Sequence, residues 1–297
     1  MKDHKENFLD PLTLAKLSDM RLRARFVVEG FISGLHQSKF KGSSVDFAEH
    51  REYVFGDEIK NIDWKVYGKF DRFYIKQYQE ETSLKGYILV DSSASMKYGS
   101  TGISKFQYAC YLASSLAYLM LIQQDEVGVA TFSNEILKLI PARGGLEHIK
   151  AITGALETSE CSGKVDIQKI FKELSVLIKK RSLIIFISDL FDDEEKILHT
   201  LKAFRFRKNE VIIFHLLDPA ELDLPFKNTI LFEGMESKEQ VLANPNAIKE
   251  EYKKTINSFI ENYRLNFRKN NIDYTLINTS TPLDKALGSY LYSREKL

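Results

Sequence analysis

The sequence predicts an α/β fold: a doubly wound, mostly parallel sheet of the Rossmann type, preceded by an N-terminal lobe that is part helical and part irregular. Three observations carry this expectation. Four short apolar runs, GYILVD (86–91), VGVATF (127–132), SLIIFISD (182–189) and VIIFHLL (211–217), read as strands buried on both faces. Segments with apolar residues at helical spacing separate them, the pattern of a sheet covered by helices on each side. Before residue 84 this alternation is missing, so the lobe is expected at 1–83 and the α/β domain, with a C-terminal helix and strand, at 84–297.

Taken in order, residues 8–40 carry apolar side chains at helical spacing, with Asp10 as N-cap and Pro11 at the first helical position. A polar, aperiodic stretch follows. It holds Phe47, Tyr53, Phe55 and the sole tryptophan, Trp64, and so reads as an ordered irregular lobe. Ser104 to Gln124 is apolar at helical spacing. EILKLI (135–140) alternates as a strand after the turn residues Ser133 and Asn134. Helices are expected over 144–156, 166–179, 193–207 and 245–269, a hairpin strand at 228–234 and a last strand at 272–278.

Composition narrows the function classes. The 297 residues are 44% apolar and 28% charged, with a net charge of +1, so no overall field recruits nucleic acid or an acidic membrane surface. Arg21, Arg23 and Arg25 read as the solvated face of a helix. Two cysteines, Cys110 and Cys161, make neither a disulfide framework nor a zinc site and favour a reducing compartment. The first residues lack the apolar core of a signal peptide, and the longest apolar run, 110–122, is too short to span a bilayer. A cytoplasmic protein without membrane insertion is expected.

Two strands end alike. GYILVD runs into Asp91-Ser92-Ser93-Ala94-Ser95, and LIIFISD runs into LFDD with Ser188 and Asp189, so each has an aspartate at its last position and hydroxyls beside it. In open α/β sheets ligands bind beyond the carboxyl ends of the strands. Hard divalent cations want oxygen donors. Asp91, Ser93 and Ser95, joined by Asp189, offer carboxylate and hydroxyl oxygens for Mg2+ or Mn2+ while leaving the ion open to a partner's carboxylate. An aspartate followed by serines is equally the pattern of a helix cap or turn. A haloacid dehalogenase-type nucleophile needs a second aspartate where Ser93 stands, and no phosphate loop, zinc-protease motif or serine elbow occurs. His215, within an apolar strand, reads as a core residue.

The segment from Arg51 to Trp64, REYVFGDEIKNIDW, resembles the hallmark of the bacterial family called domain of unknown function 58. The flanking GFISGLHQSKFKGSSVDFAEH and KVYGKFDRFYIKQYQEET, the DSSASM loop and FISDLFDD are similar to it as well, so that the resemblance covers roughly 8–220. The resemblance implies a von Willebrand factor A-like domain with a metal-dependent adhesion-like site at Asp91, Ser93, Ser95 and Asp189. It also implies a MoxR-type AAA+ ATPase as partner, together with a client protein, and a non-enzymatic role as adaptor or chaperone-like factor. The family expects a threonine before the helix that precedes the second aspartate. Val165 stands there, with Asp166 as a possible substitute donor and Lys164 as a competing charge. Arg51, Asp57, Asp63 and Trp64 read as residues that hold the lobe together. Two alternatives stay open: a metal-free scaffold, and a metal-dependent phosphoester hydrolase with Asp192 or Asp193 as base.

Overall fold

A computed structural model describes residues 11–15, 19–37, 50–53, 73–76, 84–178, 181–237 and 239–294. The chain divides into two units, one of residues 35–83 and one of residues 1–34 with 84–297.

In the smaller unit, β1 (His50–Glu52) pairs antiparallel with β2 (Tyr74–Lys76), Arg51 opposite Ile75. Tyr53 N–H extends the pairing to the Phe73 carbonyl at 2.8 Å. Asp57, Asp63 and Trp64 lie outside the described residues.

The larger unit is built on six strands: β3 (Lys85–Asp91), β4 (Glu126–Phe132), β5 (Ile136–Arg143), β6 (Leu183–Ser188), β7 (Glu210–Leu217) and β10 (Asp273–Asn278). Their order is β10-β7-β6-β3-β4-β5, all parallel except β5, which runs antiparallel to β4. Counted along the chain this is the 3-2-1-4-5-6 arrangement of a doubly wound sheet, and its connections diverge between β3 and β6. The expected mixed α/β architecture with a mostly parallel sheet is what forms.

Strand periodicity of two sends alternate residues to opposite faces. Ile88, Val90, Ile185, Ile187, Ile212 and Phe214 enter one core, under α2 (Met20–Gln37), α3 (Lys105–Ile122), α4 (Ile149–Glu157) and α9 (Leu283–Arg294). Leu89, Ile184, Phe186, Val211 and Ile213 enter the other, under α5 (Ile167–Leu177), α6 (Glu194–Phe206) and α8 (Pro245–Lys269). Helix α3 is buried nearly all round, as a helix that is apolar on every side must be. A capping box at Ser104 and Gln107 starts it. A short α7 (Pro219–Asp223) follows β7, and β8 (Ile230–Glu233) pairs with β9 (Gln240–Ala243) as the expected hairpin.

Two expectations change. The N-terminal helix is two, α1 (Pro11–Ala15) and α2, because Asp19 caps a new start by accepting from Arg21 N–H at 2.8 Å. These helices also group with the α/β unit rather than with the lobe, since Leu14, Met20, Ala24, Val27 and Val28 are buried in its core. Arg23 is correspondingly not a plain solvated charge: its guanidinium sits 4.8 Å from the centre of the Tyr111 ring. Among the described residues no helix is long and apolar enough to cross a membrane.

Candidate functional site

Asp91 closes β3 and Asp189 follows β6, so the paired neighbours β3 and β6 deliver both carboxylates to the carboxyl edge of the sheet where the winding diverges. Both are buried, at 1% exposure each. Asp91 Oδ1 accepts from Ser93 N–H at 2.8 Å, and Oδ2 from the Ser188 hydroxyl at 2.6 Å. The Ser93 and Ser95 hydroxyls lie 3.0 Å apart. Ser93 is fully buried while Ser95 is half-buried, so the pair spans from the interior to the mouth of the site.

The loop between α4 and α5 braces this turn. Ser162 N–H donates to the Ser92 carbonyl at 2.8 Å, and Ala94 N–H to the Gly163 carbonyl at 2.9 Å. Gly163 adopts φ 69°, the left-handed region that glycine enters without steric cost. Val165, in the expected threonine position, packs against the apolar core. Asp166 is exposed and N-caps α5, accepting from Lys169 N–H at 3.1 Å. One oxygen of its carboxylate is thus engaged at a helix end. Asp193 likewise caps α6, accepting from Glu195 and Lys196 N–H groups.

The ion that sits in the site is one the sequence does not announce. Lys105, at the first turn of α3, is fully buried and donates to Asp189 Oδ2 at 2.8 Å and to Glu221 Oε1 at 2.6 Å. Its ammonium also lies 4.9 Å from the centre of the Phe191 ring. Burial pulls this ammonium down, but Asp189 and Glu221 outweigh it and hold it above its ordinary value. The competing charge expected at Lys164 is instead exposed and lines the outer cleft. Nothing in the 105–124 apolar pattern marks Lys105 as a partner for a residue 84 positions away.

His215 is a core residue, as expected. Its Nδ1 meets the Tyr274 hydroxyl at 2.8 Å and its Nε2 the Asp189 carbonyl at 2.9 Å. Burial drops it to about 4, against the pull of Asp189, so it is neutral.

The charge balance favours a cation. Burial, and then the charge of Asp189, push Asp91 up to about 7 against the hydrogen bonds from Ser188 and Ser93. Glu236, from the β8–β9 loop, is also raised, by burial and by Asp189, while Ser95 and Lys164 pull it down. Its Oε1 is enclosed and has no hydrogen-bond partner. Among the described residues no three His, Cys, Asp or Glu side chains converge as a ligand set. The donor set is therefore hydroxyl-led. The Ser93 and Ser95 hydroxyls are hydrogen-bonded to each other at 3.0 Å, a separation that also matches neighbouring oxygens of six-coordinate Mg2+ at about 2.1 Å from the ion. Hard oxygen donors, a surplus of buried carboxylates and an orphaned carboxylate oxygen fit Mg2+ or Mn2+.

The family model described as "Protein of unknown function DUF58" matches residues 49–259. Among curated proteins the chain is similar to "Uncharacterized protein Rv1480" of Mycobacterium tuberculosis and "Uncharacterized protein Mb1516" of Mycobacterium bovis. Each is 24% identical over 231 residues, covering 77% of this chain and 72% of the relative. Among solved structures it is similar to the conserved hypothetical protein BatB from Bacteroides thetaiotaomicron, with a TM-score of 0.50 at 17% identity, over 72% of this chain and 100% of that one. That likeness is one of fold.

Proposed function

We propose that this chain, which belongs to the family described as protein of unknown function DUF58, is a non-enzymatic protein-binding module of von Willebrand factor A-like fold. Ser93 and Ser95, with Asp91 and Asp189 behind them, hold Mg2+ or Mn2+, and the ion supplies positive charge that recognises a carboxylate. The observation that carries this reading is the pair of hydroxyls 3.0 Å apart beside the buried Asp91. The 3-2-1-4-5-6 strand order supports the fold assignment.

The partner follows from the family resemblance. It is a MoxR-type AAA+ ATPase, and the module acts in the cytoplasm as an adaptor or chaperone-like factor toward a client protein. For the alternative hydrolytic role, Asp193 is committed to capping α6 and burial holds His215 low, which leaves Asp192 as the candidate base. Titration calorimetry with Mn2+ tests the site. Wild type binds, Asp91→Ala and Ser93→Ala do not, and a wild type that takes up no cation sinks the metal-assisted reading. Capture of a MoxR-type ATPase by the wild type in Mg2+, lost in chelator and in Asp91→Ala, tests the partner.

A second reading, a metal-free scaffold of the same fold, is favoured by one observation. The Lys105 ammonium already neutralises Asp189, as a built-in cation would. Under that reading partner capture is indifferent to chelator.

A further inference from the structure

The β8–β9 hairpin faces the site across a cleft of about 910 Å3, lined on one side by Ser95, Lys164, Phe191 and Glu221 and on the other by Met235 and Glu236. Its loop is tight. Gly234 N–H bonds the Glu239 carbonyl at 2.9 Å, and a Cβ on Gly234 would overlap the Ser237 hydroxyl oxygen. That turn presents Glu236 toward Ser95, where its Oε1 is enclosed without a partner. An unpaired carboxylate oxygen in such a place is costly unless a cation meets it. Among the described residues the ammonium that acts on it is that of Lys164, which is exposed, while Lys105 is taken by Asp189 and Glu221.

The rest of the hairpin is lightly held. Leu231, Val241 and Leu242 are 56%, 60% and 70% exposed, so little apolar burial anchors it to the sheet.

We propose that Glu236 is an internal ligand of the Ser93/Ser95 cation site, a carboxylate that this chain supplies where a partner's acid would otherwise bind. The proposal rests on the cation reading above. Magnesium seeks six oxygens, and beyond the serine hydroxyls and strand-end aspartates Glu236, held beside Ser95, offers an oxygen without a hydrogen-bond partner. The hairpin thereby becomes a built-in competitor. An acidic partner gains the ion only by displacing Glu236, and the loosely packed hairpin moves with it.

Mn2+ calorimetry on wild type, Glu236→Gln, Met235→Gln and Asp91→Ala, joined to hydrogen exchange over 230–243, tests this. Mn2+ slows exchange of the wild-type hairpin, and Glu236→Gln both abolishes that protection and weakens Mn2+ at least about tenfold, as loss of a supporting ligand does. Met235→Gln, a neighbouring change on the same loop, behaves as wild type. If Glu236→Gln binds Mn2+ as tightly as wild type or tighter, the internal ligand is overturned while the cation site stands. If wild type binds no more Mn2+ than Asp91→Ala, both fall.

Discussion

The Lys105 ammonium lies 2.8 Å from Asp189 and 2.6 Å from Glu221, with no exposure of its own. It pins the first turn of α3 to the loop after β6 and to α7, tying together three segments at the carboxyl edge of the sheet. A buried ion pair adds little net stability compared with an apolar replacement, but removing one member leaves the others charged and unpaired. Lys105→Met therefore costs about 3–5 kcal/mol in urea unfolding. Lys105→Met with Asp189→Asn recovers part of that loss. Additive losses in the double variant would show that the two do not act as a pair.

Two buried groups give opposite pH dependences in chelator. Asp91 is raised from 3.8 to about 7, so between those values the folded state keeps a proton that the unfolded chain has released, and stability falls as pH rises. His215 is lowered from 6.5 to about 4, so the unfolded chain takes up a proton that the folded state refuses, and stability falls as pH drops through that window. The two slopes oppose each other, each up to about 1.4 kcal/mol per pH unit. Urea midpoints across this range expose them separately: His215→Gln loses stability with rising pH relative to wild type, and Asp91→Asn with falling pH. Curves parallel to wild type in both variants would contradict the assignment.

Both thiols are expected to be inert in the folded protein. Cys110 and Cys161 are 3% and 6% exposed. Burial pushes both thiols up, Cys161 to about 12. With a thiolate fraction on the order of a thousandfold below that of a free cysteine, a disulfide reagent at pH 8 reacts slowly until urea unfolds the chain. Rapid native-state labelling of either residue would count against this packing.

Gly128 sits at the irregularity where β4 meets β5, between Val127 and Val129. A Cβ there would lie 2.9 Å from the Ala142 nitrogen, the Ile140 carbonyl oxygen and the Tyr87 ring. Backbone atoms cannot step aside as side-chain ends do, so Gly128→Val destabilises by about 1–3 kcal/mol in thermal or urea unfolding. Gly154→Ala, on the exposed face of α4 where a Cβ meets nothing within 4 Å, is the comparison and raises stability by up to about 1 kcal/mol.

Much of this protein was readable as a string. Strands and helices announce themselves through apolar period, because burial on two faces demands continuous apolar runs and burial on one demands helical spacing. Asp91 and Asp189 could be named because each ends such a run, and a strand's carboxyl end is where a doubly wound sheet places its ligands. Helix α9 was not among the expected elements, although Leu283, Ala286 and Leu287 enter the core at helical spacing. Packing alone settled the rest. Lys105 at the head of an apolar helix, Asp166 as a cap, and Glu236 on a hairpin 47 residues beyond Asp189 (236 − 189) leave no local trace of what they face. A period reports how a segment meets the core, whereas a charge's partner is chosen by where the folded chain brings a second charge within hydrogen-bond reach.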